Sequence, residues 1–460
     1  MGLKIVGGKR MKENLLLLVE PDKKVPRIEG LPWEFSDKAV TAWGGLRLMK
    51  EMLDRIGMKG VLAASGMPQP GSNRGYDPVT MMESFWVCVW AGGVRFSHTA
   101  MVRFDEALRE IFGWKRVGSV ATFTRFFRRF GRETVDGVFG HLNRWFWEQV
   151  APKTITVDLD SSVMTRYGEQ EGATVGYNPE KRGRRSHHPL FAFVGDLRMV
   201  LHAWMRPGNT GTSNGADVFF AEALEILGAK HKVGLVRADS GFFVGKFLDY
   251  LEGKVVRYIV AVRLNRVIRR EMAGVTNWVR VDDGIEVSEF AYRAGGWEKD
   301  RRVIVVRQNV KERAEAKGKW LLEVPGYRYQ SYVTDLELPP VEVWRLYRGR
   351  ADSENRIGEL KYDFGMSGFC LDSFYGTEAA FRSVLMAYNL MSVFRQALLQ
   401  APQAVRLSTM RFQCFAIGAL LGRRGRNKVL RLSLPMERRP WFEGLFARIE
   451  TLQSPWPLPT

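Results

Sequence analysis

The chain has 460 residues, with 69 Lys and Arg against 50 Asp and Glu, a formal net charge of +19. That length exceeds what one hydrophobic core usually supports, so two or three domains are expected, and the 45% apolar content excludes a low-complexity chain. Such an excess of positive charge suits a long polyanion, because each neutralised phosphate releases counterions.

The apolar run Leu15 to Val19 is far too short for a signal segment or a membrane span, so a soluble, intracellular protein is expected. Residues 1–150 read as a helical N-terminal region that binds DNA. In "DPVTMMESFWVCVWAGG", Asp77 is an N-cap candidate with Pro78 in the first turn. In "GSVATFTRFFRRFG", Ser119 or Thr122 is the cap, the phenylalanines share one side, and Arg125, Arg128 and Arg129 lie largely on the other. A short arginine-bearing helix following another helix is the pattern of a recognition element. Cys88, Cys370 and Cys414 show no paired spacing, which supports neither a disulfide framework nor a zinc cluster and fits a reducing cytoplasm.

From Lys153 the pattern changes to strands. "TITVDLD" alternates strictly, with Asp158 and Asp160 on one face. "HPLFAFVGDLRMVLHAWMRPG" reads as two strands turning near Gly195–Asp196, and "NGADVFFAEALEILGA" as a helix capped by Asn214 and stopped by Gly228. "KVGLVRADSGFF" is an apolar strand ending in Asp239, and "VRYIVAVR" is another strand. Three strands, a helix, a strand and a later helix give the order of a ribonuclease-H-like α/β domain, placed over 151–262 and 338–400. Residues 263–337 read as a β-rich insertion dividing it, and 401–460 as a basic C-terminal region. The loop Lys181, Arg182, Arg184 and Arg185 is a further candidate for DNA contact, while His187 and His188 lack the partners a metal site needs.

In "YRGRADSENRIGELK", Tyr347, Arg350, Glu354 and Lys361 stand at offsets of zero, three, seven and fourteen. At roughly 100° per residue, one helix places them within about 60° of each other. Asp160 and Asp239 end strands, where α/β sheets expose their sites. Carboxylates clustered with Glu354 would need a neutralising cation, and hard oxygen donors suit Mg²⁺ or Mn²⁺. Two ions roughly 3.5–4 Å apart would hold a phosphodiester between them. Asp158 competes with Asp160 for this role.

The Tyr-(2)-Arg-(3)-Glu-(6)-Lys spacing resembles the signature of DDE transposases from bacterial insertion sequences. "VDLDSSVMTRYGEQEGATVGYNPEKRGRRSHHPL" is similar to their first-aspartate region, with Asp160 followed by Ser161 and Ser162, and "VRADSGFF" to their second-aspartate strand. The resemblance runs from about Lys153 to Gln400 and implies that Asp160, Asp239 and Glu354 are catalytic and hold the metal. It further implies that Tyr347, Arg350 and Lys361 hold phosphates of double-stranded DNA at element ends. Cleavage followed by joining to target DNA, a homodimeric synaptic complex and a bacterial, nucleoid-associated cytoplasmic location are also implied. Related insertion-bearing enzymes use a Trp to hold a flipped base, and Trp278, Trp297 and Trp320 are the candidates. A ribonuclease-H-type nuclease without strand transfer, or a non-catalytic DNA-binding derivative, are the competing readings.

Overall fold

A computed structural model describes residues 33–313, 315–321, 325–401 and 405–458. The expectations for Leu15–Val19 and for the start of the N-terminal region fall outside the described residues. The chain divides after Lys38, and residues 39–460 cluster as one compact unit, which holds every element described below.

Two of the predicted N-terminal helices are α1 (Pro78–Trp90) and α2 (Val120–Arg128), and α3 (Arg132–Glu148) follows them. Asp77 caps α1 by accepting from Val79 and Thr80 N–H, and Ser119 caps α2 by accepting from Thr122 N–H.

The alternating and apolar runs that come next form one ten-stranded sheet. Its centre is β1 (Thr154–Ser161), flanked on one side by the antiparallel hairpin β2 (Leu190–Val194) and β3 (Met199–Trp204). The hairpin turns through residues 195–198, as Gly195–Asp196 predicted. On the other side β4 (Lys232–Ala238) runs parallel to β1, and β5 (Arg257–Ala261) parallel to β4. The helix between β3 and β4, α4 (Ala216–Leu227), starts after Gly215 in the left-handed region (φ 70°), not at an Asn214 cap, and stops at Gly228. Gly suits that entry because it alone adopts positive φ without Cβ strain.

The β-rich stretch continues this same sheet. The strands β6 (Val279–Asp282), β7 (Ile285–Tyr292), β8 (Arg301–Asn309) and β9 (Tyr327–Thr334) are antiparallel neighbours. Strand β9 joins β5 through Tyr332 opposite Ala261 and Thr334 opposite Ile259. The order across the sheet is therefore β6-β7-β8-β9-β5-β4-β1-β2-β3, with the two-residue strand Lys319–Trp320 paired to β9 off this path.

After the helices α5 (Pro340–Arg348) and α6 (Ala351–Tyr362) comes α7 (Phe374–Val393), a twenty-residue helix buried along almost its whole length. It is buried on nearly every side, and its polar members Glu378, Arg382 and Asn389 are buried with it. Trp86 and Trp90 of α1 donate their indole N–H groups to Ser383 O and Ala387 O of α7. On its other side, Asn389 accepts from Val200 N–H at 2.8 Å and donates to Val200 O at 2.7 Å, satisfying the outer edge of β3. The N-terminal helices and the sheet thus share one core through α7.

Candidate active site

The parallel register of β1 and β4 sets Asp158 opposite Arg237 and Leu159 opposite Ala238, so Asp160 and Asp239 follow at neighbouring strand ends. Asp160 is 7% exposed. Its Oδ1 accepts from Ser161 N–H at 2.8 Å, and its Oδ2 lies 2.9 Å from Arg350 Nη2. Asp239 is half-buried and accepts from Gly241 N–H at 2.8 Å, which caps the short turn Ser240–Phe242. Glu354 lies in the first turn of α6 and is exposed.

Burial pushes the Asp160 carboxyl up to about 6; Arg350 opposes this, while the charges of Asp239 and Glu354 add to it. Asp239 and Glu354 therefore each lie within electrostatic reach of Asp160. Among the described residues, no group of three or more His, Cys, Asp and Glu side chains stands close enough to hold a metal ion. In kind the donors fit a hard divalent cation, since all are carboxylate oxygens.

The helix expected to run unbroken through the signature is two helices. α5 ends at Arg348 and α6 begins at Ala351, with Tyr347 on the first and Glu354 and Lys361 on the second. Arg237 lies at the break. Its Nη1 donates to Leu346 O at 2.7 Å, and the Arg350 N–H turns instead to Tyr347 O at 2.9 Å. A side chain inserted into the hydrogen-bond ladder is a standard cause of such kinks. Tyr347 packs its ring against that of Tyr332, tilted 43° with centroids 4.3 Å apart, and donates its hydroxyl to Ala238 O at 3.3 Å. Burial pushes that phenol up to about 12. Arg350 is buried against Asp160, with its Nε unpartnered. Burial opposes its charge, yet Asp160 and its neighbours hold the guanidinium above its ordinary range. Lys361 is half-buried, its ammonium lowered by burial and supported by Glu180 and Asp160.

Asp158 is fully buried and bound by Arg237, Nε to Oδ1 at 2.6 Å and Nη2 to Oδ2 at 2.9 Å. Asp158 lies one step deeper in β1 with no exposed surface, whereas Asp160 stands nearer the strand end. His188 is also beside the site: its Nε2 lies 3.1 Å from Ser161 Oγ and its Nδ1 2.8 Å from Thr210 O. Burial lowers its pKa, so it is neutral and the Nδ1–H donates to Thr210. Sequence reasoning weighed His188 only as a metal ligand and missed Arg237. The available signal for Arg237 was a charge in an apolar strand two residues before Asp239.

The basic candidates divide. Lys181, Arg182, Arg184 and Arg185 are all exposed; Lys181 bonds the Tyr167 hydroxyl, and Arg185 stands 3.9 Å from Glu169. Arg125, Arg128 and Arg129 are exposed on α2, but Arg128 pairs with Asp372 at 2.8 Å and Arg129 donates to Gln69 O. Trp278 and Trp297 are partly buried, under Arg307 and Arg301 respectively, whereas Trp320 is 47% exposed. Among the described residues no helix is long and apolar enough to cross a membrane.

A family model described as transposase DDE domain group 1 matches residues 28–454. No curated protein matches the chain. A solved structure, the cryo-EM structure of piggyBac transposase synaptic complex with hairpin DNA, is similar over 82% of this chain and 81% of that chain. Its TM-score is 0.47 and its identity 10%.

Proposed function

Because this chain belongs to the DDE transposases of domain group 1, we propose that it binds the ends of an insertion sequence, cleaves them and joins them to target DNA. The observation that supports this reading is the pair of acids at adjacent strand ends, Asp160 and Asp239. The hairpin-then-parallel order β3-β2-β1-β4-β5 supports a ribonuclease-H-like catalytic domain in 151–262 and 338–400. On this reading 263–337 extends its sheet, and residues 1–150 and 401–460 serve DNA binding.

DDE transposases generally use divalent metal ions. Here Asp160, Asp239 and Glu354 would hold Mg²⁺ or Mn²⁺, two ions by the two-metal scheme, which when bound polarise the scissile phosphate and stabilise its leaving oxygen. The protein's own contribution is placement and charge. Arg350 balances the buried Asp160, and Tyr347 packs against the strand end beside Asp239. Lys361, with its half-buried ammonium, meets a DNA phosphate as a point charge. The exposed arginines of α2 and of the Lys181–Arg185 loop bind the flanking duplex. Two ends must be brought together, so the working form is a homodimer acting on DNA in the bacterial cytoplasm.

The test incubates the full chain with labelled duplex carrying the element ends, a target plasmid, and Mg²⁺ or Mn²⁺. Cleavage and joining are expected, and Asp239→Asn and Glu354→Gln should retain end binding while losing both. Cutting without joining identifies a nuclease, binding without cutting identifies a non-catalytic derivative, and wild-type cleavage by either variant shows the site is misassigned.

A further inference from the structure

Residues two apart on a strand share a face. Asp158 and Arg237 therefore sit one step before Asp160 and Asp239 on the same faces of β1 and β4, directly opposite each other. The bidentate bond between them ties the two strands immediately beneath the two acids. Arg237 has one nitrogen left, and it uses Nη1 to take Leu346 O, the carbonyl that an unbroken helix would give to the Arg350 N–H. One guanidinium thus contacts the strand carrying Asp160, belongs to the strand preceding Asp239, and opens the helix five residues before Glu354 reaches the site.

The packing around it is close. A Cβ on Gly349 would fall 2.4 Å from Arg237 Nη1, and one on Gly195 would fall 2.9 Å from Arg237 Nη2 and 3.2 Å from Asp158 Oδ2. Gly349 itself has ordinary right-handed helical angles, φ −59° and ψ −21°, so its backbone does not require glycine. A side chain there would have to displace the guanidinium that Asp158 holds.

We propose that Arg237, held by Asp158, is a positioning residue that interrupts the signature helix at Gly349 and so sets the direction in which α6 carries Glu354 relative to Asp160 and Asp239. This rests on the assignment of those three acids as the active site. It goes beyond that assignment in tracing the geometry of the acids to a buried ion pair outside them.

Gly349→Ala is the test, because it removes no charge and no cap and adds one methyl group where the guanidinium lies. Gly358→Ala on the same helix, where a Cβ meets nothing within 4 Å, is the matched control. Arg237→Lys is the second variant, since one ammonium cannot grip both Asp158 oxygens and Leu346 O together. Each full-length variant is measured for its Kd on duplex carrying the element ends, for single-turnover cleavage of the pre-bound duplex, and for the Mg²⁺ concentration at half-maximal rate. For Gly349→Ala and Arg237→Lys the expected result is unchanged Kd, cleavage slower by about 10- to 100-fold and a raised Mg²⁺ midpoint. Gly358→Ala should match wild type. Wild-type cleavage and Mg²⁺ midpoint in either Gly349→Ala or Arg237→Lys overturns the proposal, as does a loss that merely tracks Kd. Glu354→Gln separates the two levels: if it cleaves normally, the site reading itself fails. If it is inactive while Gly349→Ala and Arg237→Lys are normal, only the positioning role fails.

Discussion

Arg350 Nη2 lies 2.9 Å from Asp160 Oδ2, and both residues are only 7% exposed. The guanidinium also donates to Leu159 O at 3.4 Å, so it fixes the start of α6 to the end of β1. Removing one partner of a buried pair leaves the other charge uncompensated, at a cost of about 3–5 kcal/mol. Arg350→Ala is expected to lose stability on that scale in denaturant unfolding. It should also gain more than wild type from added Mg²⁺ in thermal melts, since a cation then replaces the missing positive charge. Equal Mg²⁺ stabilisation of the two proteins would place the cation away from Asp160.

A second prediction concerns pH. His187 is fully buried, receives Arg166 Nε–H on Nδ1 at 3.0 Å and directs Nε2 to Glu171 O at 2.9 Å. Burial, aided by the Arg166 charge, lowers its pKa to about 4. A histidine whose folded pKa is depressed binds fewer protons folded than unfolded, so its stability contribution is complete above about 6.5 and is lost as pH falls toward 4. Over that window the loss is on the order of 3 kcal/mol. Unfolding titrations of wild type and His187→Asn between pH 7 and 4 should show the slope flattened in the variant. Parallel slopes would mean that His187 is not the titrating group.

Much of the fold was legible because it is local. Strict alternation located β1, the Asp77–Pro78 pair located the start of α1, and the spacing of Tyr347, Arg350, Glu354 and Lys361 located the helices that face the strand ends. What the sequence hid depends on partners far away in the chain. Gly349 is a weak local signal for a helix interruption, but its contact with Arg237, 112 positions earlier, cannot be read from the sequence. The strands of 263–337 were recognisable as strands, but their membership of the main sheet is fixed by Tyr332 and Thr334 pairing with β5. The face of α6 turned from the acids was likewise opaque. Arg356 and Glu359 are buried there, Arg356 donating to Gly195 O and Glu359 paired with Arg395, so charged letters in the sequence mark an anchoring face.

Lys361 offers a test by salt. A lysine that neutralises one phosphate contributes about one unit to the slope of log K against log salt, and that contribution shrinks as salt rises. Lys361→Ala should therefore weaken end binding most at low ionic strength, with the slope reduced by about one. Binding isotherms between 50 and roughly 200 mM salt suffice to measure it. A uniform loss at every salt concentration would remove Lys361 from the phosphate contacts.

The edge of β3 supplies a prediction on folding. Asn389 projects from α7 and makes both backbone hydrogen bonds of Val200, at 2.8 and 2.7 Å, in a setting where Asn389 is 2% exposed. Cutting back the side chain leaves both backbone groups without their protein partner, and an unsatisfied buried donor or acceptor costs about 1–3 kcal/mol. Asn389→Ala is thus expected to destabilise by about 2–5 kcal/mol, with two orphaned groups and a small void contributing together. Asn389→Leu fills the void but leaves both groups unpaired, so it should recover little of that loss. Amide exchange at Val200 distinguishes the causes, since protection there is expected to fall in both variants. If Asn389→Leu restores wild-type stability, packing rather than the hydrogen bonds holds α7 to the sheet.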